Sequence, residues 1–173
     1  MTRRPERSEA VDYYFRYIDL VPGSLVLSVL ASQLGETLAL LDGISEEQSL
    51  HRYASDKWTI RQVLNHVNDA ERLFVWRAFW FARGFDTPLP SFDQNVAVAA
   101  ASANDLHWRR HVDDFRAVRA ATLTLFRGLP AAAWNRTGIA SENPFSVRAL
   151  AYIAAGHVIH HSGVLRQRYL NQS

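Results

Sequence analysis

Two histidines four residues apart, His157 and His161, sit in the run Ala154-Ala-Gly-His-Val-Ile-His-His-Ser-Gly-Val164. At about 100° per residue, Leu150, Ile153, Ala154, His157, His161 and Val164 share one face of a helix. An imidazole in an apolar stripe is costly without a partner. Two histidines at i, i+4 can each direct a nitrogen at one metal ion, which then needs a third donor from elsewhere. His66, well inside another helical segment, is the candidate. Three nitrogens leave at least one position open for water or substrate, as in catalytic rather than structural sites. Neutral imidazoles suit zinc, nickel, copper or iron, and the sequence does not choose among them. His111 is the rival third donor, and His160 lies about 60° to one side of His157. Spacing alone also allows all of these histidines to be hydrogen-bonded core residues.

Such a site needs groups that orient its ligands or move protons. Asp69 follows His66 by about one helical turn, and Glu71 is nearer the core side of the same helix. Asp93 and Asn95 lie in a long connection that can reach the mouth of the site, or serve there as turn and cap residues. Arg77, Arg119 and Arg168 fall on or near core stripes, where they either pair with buried carboxylates or bind an anionic substrate. Trp58, just before Thr59, reads as a hydrophobic staple at the start of a helix.

The elements that must position these groups are helices. Residues 8–20 read as a short helix stopped by Pro22-Gly23, and Ser24 as the cap of a longer one reaching Leu41. Thr59 caps a helix to about Arg83, with Ile60, Val63, Leu64, Val67, Ala70 and Phe74 on its core side. Its opposite side carries Trp76, Phe79 and Trp80, which implies cover by a loop or a second subunit. Residues 84–103 form a long connection whose Pro88 and Pro90 exclude a continuous helix at its start. Asn104 caps a third long helix to Arg127, and Ser146 begins the last, which ends near Leu170. No strand signal of any length is present. The reading is all-α: a four-helix bundle with long crossover connections and a short extra N-terminal helix.

Bulk properties bound the rest. A chain of 173 residues, 48% hydrophobic and 21% charged, fits one globular domain over 1–173, with residues 1–7 as a disordered arm. A formal charge of +2 with scattered basic residues gives no footprint for nucleic acid. Cysteine is absent, which excludes disulfides, thiolate metal sites and an intrinsic thiol nucleophile. The stretch 21–41 is too polar for a membrane span, and the first residues lack the apolar core of a signal peptide, so a cytoplasmic protein is expected.

Four segments carry a family resemblance. His66-Val-Asn-Asp-Ala-Glu-Arg, Phe81-Ala-Arg-Gly, Pro88-Leu-Pro-Ser-Phe-Asp-Gln-Asn and the run from Ser146 to Leu170 occur in the order and spacing of the DinB/YfiT-like family, which this chain resembles from about residue 12. The resemblance implies a four-helix bundle, usually homodimeric, with a divalent metal held by three histidines. Their positions match His66, His157 and His161, which demotes His111. It further implies a metal-dependent hydrolase, or a transferase or isomerase using a low-molecular-weight thiol such as bacillithiol or mycothiol, acting on an unknown small molecule. Zinc or nickel is the expected ion. The alternative is a non-catalytic binding or interaction protein with a vestigial or structural histidine cluster.

Overall fold

The computed structural model describes residues 3–171. Its α-helices are α1 (Phe15–Ile18), α2 (Val26–Asp42), α3 (Ile60–Ala82), α4 (Gln94–Ala100), α5 (Trp108–Arg127) and α6 (Val147–Val164). The last turn of α6 widens into a π-helical segment, Leu165–Tyr169. α3 packs against α5 and α6, and α2 packs against the same two. α2 therefore lies diagonally across from α3, and α5 across from α6, which accounts for the long connections around the bundle.

Local chemistry explains most boundaries. The Thr59 hydroxyl accepts from the Gln62 amide, while the Gln62 side chain accepts from the Thr59 amide, a reciprocal cap at the start of α3. Ser146 caps α6 through the Ala149 amide. Arg61 is buried and donates to Ser49, to the Asn104 and Leu106 carbonyls and to Glu46, so it ties both flanking connections to the foot of α3.

Several expectations are corrected. The stretch 8–20 is not one helix but two 3-10 turns, Arg7–Glu9 and Asp12–Tyr14, followed by α1. Arg3 to Arg7 are not a free arm: Arg4 donates to the Ile18 and Val21 carbonyls, and Pro5 is buried. Residues 1–2 lie outside the described residues. Asn104 sits in a 3-10 turn, and α5 starts only at Trp108. An unforeseen hairpin joins β1 (Thr137–Ala140) to β2 (Asn143–Ser146). Its turn residues, Ser141 and Glu142, both have positive φ, 50° and 63°. Two-residue hairpin turns of that kind usually announce themselves with Asn or Gly, and Ser-Glu gives no such signal. Leu89 adds to the hairpin edge through hydrogen bonds with Ile139 and Ser141.

One polar network ties the four long helices together. Arg119 on α5 is fully buried and donates to both carboxylate oxygens of Glu71 on α3, each at 2.8 Å. It also donates to the side chain of Gln33 on α2 at 2.6 Å, and Gln33 in turn donates to the Ala155 carbonyl of α6 at 2.9 Å. Thr122 donates to Glu71 at 2.7 Å. Removing one partner of such a pair strands a buried charge, at a cost of about 3–5 kcal/mol. Glu71→Ala is therefore expected to lower unfolding free energy in urea by about that amount. Joint replacement, Glu71→Leu with Arg119→Met, is expected to recover most of the loss. Equal losses in the single and double variants would contradict this.

Candidate metal centre

His66 stands in the second turn of α3, and His157 and His161 lie on successive turns of α6. The close packing of α3 on α6 brings the three together. The Nε2 atoms of His66 and His157 are 3.1 Å apart, and one nitrogen from each of the three rings lies within 4.8 Å of the others. Two nitrogens each 2.0–2.1 Å from a tetrahedral ion stand about 3.3 Å apart, close to the His66–His157 spacing. His66 Nδ1 and His161 Nδ1 are buried without a hydrogen-bond partner. The three rings thus fit a divalent ion by donor type and convergence.

Burial sets their charge state. It pushes His66 down to about 4. Burial first, then the neighbouring imidazoles, push His161 down to about 3 and His157 well below its ordinary value. All three rings are neutral at pH 7, the form that ligates metals.

The surroundings hold the rings in place. Trp58 lies against His66 with ring centres 5.1 Å apart, and its carbonyl accepts the Tyr169 hydroxyl at 2.7 Å. Trp58 is therefore a wall of the site, beyond the staple role expected of it. Tyr17 meets His157 edge-on at 5.2 Å. This contact depends on Gly156: a Cβ there would stand 2.0 Å from the Tyr17 carbonyl oxygen. The absence of a side chain lets α1 lie directly on α6.

The other expected site residues do not converge. Glu71 is consumed by Arg119 and Thr122. Asp69 is held by Asn65 and Arg72 at the margin of α3. Asp93 caps α4, accepting from the Asn95 and Val96 amides, so neither Asp93 nor Asn95 serves the mouth. His160 is exposed, packing beside Tyr17 and His161. His111 faces away, bonded to the Ala103 carbonyl at 2.9 Å. Arg168 is exposed.

A cavity of about 200 Å³ opens beside His66 and His157, walled by Tyr13, Tyr14, Tyr17, Phe74 and Phe92. Sequence reading placed Phe74 on the core side of its helix and gave the other four no role. The only hint was three tyrosines within five residues, 13–17, in a segment read as a short helix with no partner assigned to it. The larger cavity of about 950 Å³ lies at the Glu9–Arg148 pair and includes none of the three histidines.

A sequence model of the DinB superfamily matches residues 30–165, a span that contains all three histidines. The chain belongs to the DinB superfamily. Among solved structures, this DinB chain is similar to YfiT from Bacillus subtilis, described as a probable metal-dependent hydrolase with an unusual four-helix bundle topology. The TM-score is 0.73 at 16% identity, over 99% of this chain and 95% of that one. It is also similar to the mycothiol-dependent maleylpyruvate isomerase, with a TM-score of 0.70 at 13% identity over 84% of this chain and 61% of that one. At such identities the likeness is one of fold. No curated protein matches the sequence. Among the described residues, no helix is long and apolar enough to cross a membrane.

The depressed histidines of the DinB chain give an acid signature. An unfolded histidine titrates near 6.5, whereas folded His66 stays neutral to about 4 and His161 to about 3. Below pH 6.5 the unfolded chain binds protons that the folded chain does not, so stability falls as pH falls. Urea midpoints of metal-free protein are expected to drop steadily from pH 7 to pH 5, a range above most carboxylate titration. The drop should be shallower in His157→Asn with His161→Asn, where His66, His111 and His160 remain depressed. A flat wild-type profile would contradict the assignment of neutral rings.

Proposed function

We propose that this protein is a metal-dependent enzyme in which His66, His157 and His161 hold one divalent ion, zinc or nickel. The reading is of a hydrolase or a low-molecular-weight-thiol transferase acting on a small molecule in the adjoining cavity. The observation that carries it is the meeting of three neutral imidazoles, two of them buried and the third half-buried, with His66 and His157 at the edge of an aromatic-walled cavity. A divalent ion held there would supply a Lewis acid that lowers the pKa of a bound water or thiol, or polarises a carbonyl.

The chain's own residues then have defined tasks. Trp58, Tyr17 and Phe74 pack against the imidazoles and fix their orientation. Among the described residues, no carboxylate lines the cavity, so no Asp or Glu is placed there as general base. This favours the thiol form of the reaction. A thiol with an ordinary pKa near 8.5 ionises far more readily than water, at 15.7, and needs less help from a base. With no cysteine in the chain, that thiol is a co-substrate.

Metal analysis tests the reading. Wild-type protein is expected to carry about one ion per chain, and His157→Ala with His161→Ala to lose it. A chelator should lower the melting temperature of wild type and leave the variant unchanged. Unaltered metal content in the variant would sink the proposal.

For assembly we propose a homodimer through α3 and α5. Trp80 is covered by its own connection, stacked on Phe85 at 4.1 Å and bonded to the Thr87 carbonyl. Trp76 and Phe79 stay 41% and 37% exposed, beside Val75, Val118 and Leu125. Exposed aromatics grouped with aliphatic neighbours are typical of interfaces. Light scattering at micromolar concentration should give a dimer, and Trp76→Glu with Phe79→Glu a monomer. A monomeric wild type would refute the proposal.

A further inference from the structure

Arg77 follows His66 by eleven positions on α3. Eleven steps of 100° return to within about 20° of the starting direction, so the two residues share one face, about 16 Å apart along the helix axis. Ala70, Leu73 and Phe74 occupy the stripe between them, and the whole stripe lines the cavity that reaches His157. The cavity therefore runs as a trough from the histidines towards a guanidinium.

That guanidinium is 1% exposed. A buried arginine ordinarily meets a carboxylate, as Arg119 meets Glu71. Arg77 is different: its head group has five N–H donors and few acceptors. Nη2 donates to the Pro90 carbonyl and to the Ser141 hydroxyl, each at 2.9 Å. Tyr14 lines the cavity beside the group, and Nε has no partner. Among the described residues, no carboxylate forms an ion pair with it. Apart from the imidazoles, the cavity lining is otherwise uncharged, with Gln94, Ser141 and three tyrosines as its polar members. The trough carries one buried positive charge and no protein anion to answer it.

We propose that the cavity takes a small substrate bearing a carboxylate, which Arg77 receives with help from Tyr14 and Ser141 while the opposite end lies at the three histidines. The proposal rests on reading the cavity as the active site and adds the class and orientation of its substrate. Arginine suits the role because its charge persists when buried and its planar donors match a carboxylate. The volume of about 200 Å³ is below the usual range for drug-sized ligands and limits the substrate to a short molecule.

The test uses metal-free protein at pH 8, where the imidazoles are neutral and Arg77 is the only charged group lining the cavity. Butyrate and its uncharged counterpart butyramide are titrated by ligand-observed NMR. Butyrate is expected to bind at least tenfold more tightly, and to shift the Arg77 Nε–H resonance where butyramide does not. Arg77→Gln should abolish the preference, Arg77→Lys should keep part of it, and zinc uptake by both variants should match wild type. Equal binding of the two ligands, or an intact preference in Arg77→Gln, would overturn the proposal. If Arg77 only pins Pro90 and Ser141, Arg77→Gln will lower the melting temperature and leave the preference intact. Should that variant not fold, the wild-type ratio together with the Nε–H shift decides. Wild type without stoichiometric metal would sink the enzyme reading and leave the butyrate result standing, so the two failures are distinct.

Discussion

The ion pair between Glu71 and Arg119 is the constraint on which the bundle's geometry depends. Two charges removed from water are tolerable only when every lone pair and N–H is answered, and the answering groups come from all four long helices. Gln33 carries the network from α2 to the Ala155 carbonyl, two residues before His157. Glu71 itself is five residues after His66. Sliding α3 against α6 by one residue would break the network and separate the histidines together. The pair is thus a register device beside the site more than a source of stability.

Packing and chemistry use the same helix faces for different ends. Two of the buried arginines, Arg77 and Arg119, make the contrast. Arg119 is answered by a carboxylate and ties helices together, while Arg77 lines a cavity with no carboxylate partner and its Nε unpaired. Desolvation acts likewise on the imidazoles, removing their charge and leaving lone pairs available. In this molecule burial does not silence polar groups. It sets which of them are spoken for and which are offered.

Much of this was legible in the sequence, for identifiable reasons. Helical periodicity and caps such as Thr59 and Ser146 are local signals, and they located α3 and α6. The i, i+4 spacing of His157 and His161 is likewise local, His66 stood out by its place inside a helical segment, and the family resemblance favoured it over His111. What remained hidden depends on tertiary contact. Glu71 and Asp93 had the right type and sequence position for the site, but Arg119 and the α4 amides claimed them. The tyrosines of 13–17 gave no sign of where they dock, because α1 is placed by the bare backbone at Gly156. The Ser141–Glu142 turn adopts positive φ without the residues that usually do so.

The seat that Gly156 makes for α1 has a consequence for how such a site can change. The segment carrying Tyr13, Tyr14 and Tyr17 stands outside the four-helix core and before the span, 30–165, that matches the family. The histidines belong to the core, whereas much of the cavity's aromatic wall is leaned against it from outside. Ligand scaffold and cavity wall are thereby largely separate: Tyr13 and Tyr14 touch none of the three histidines and can vary without disturbing them, whereas Tyr17, seated on His157, couples the outer segment to the core.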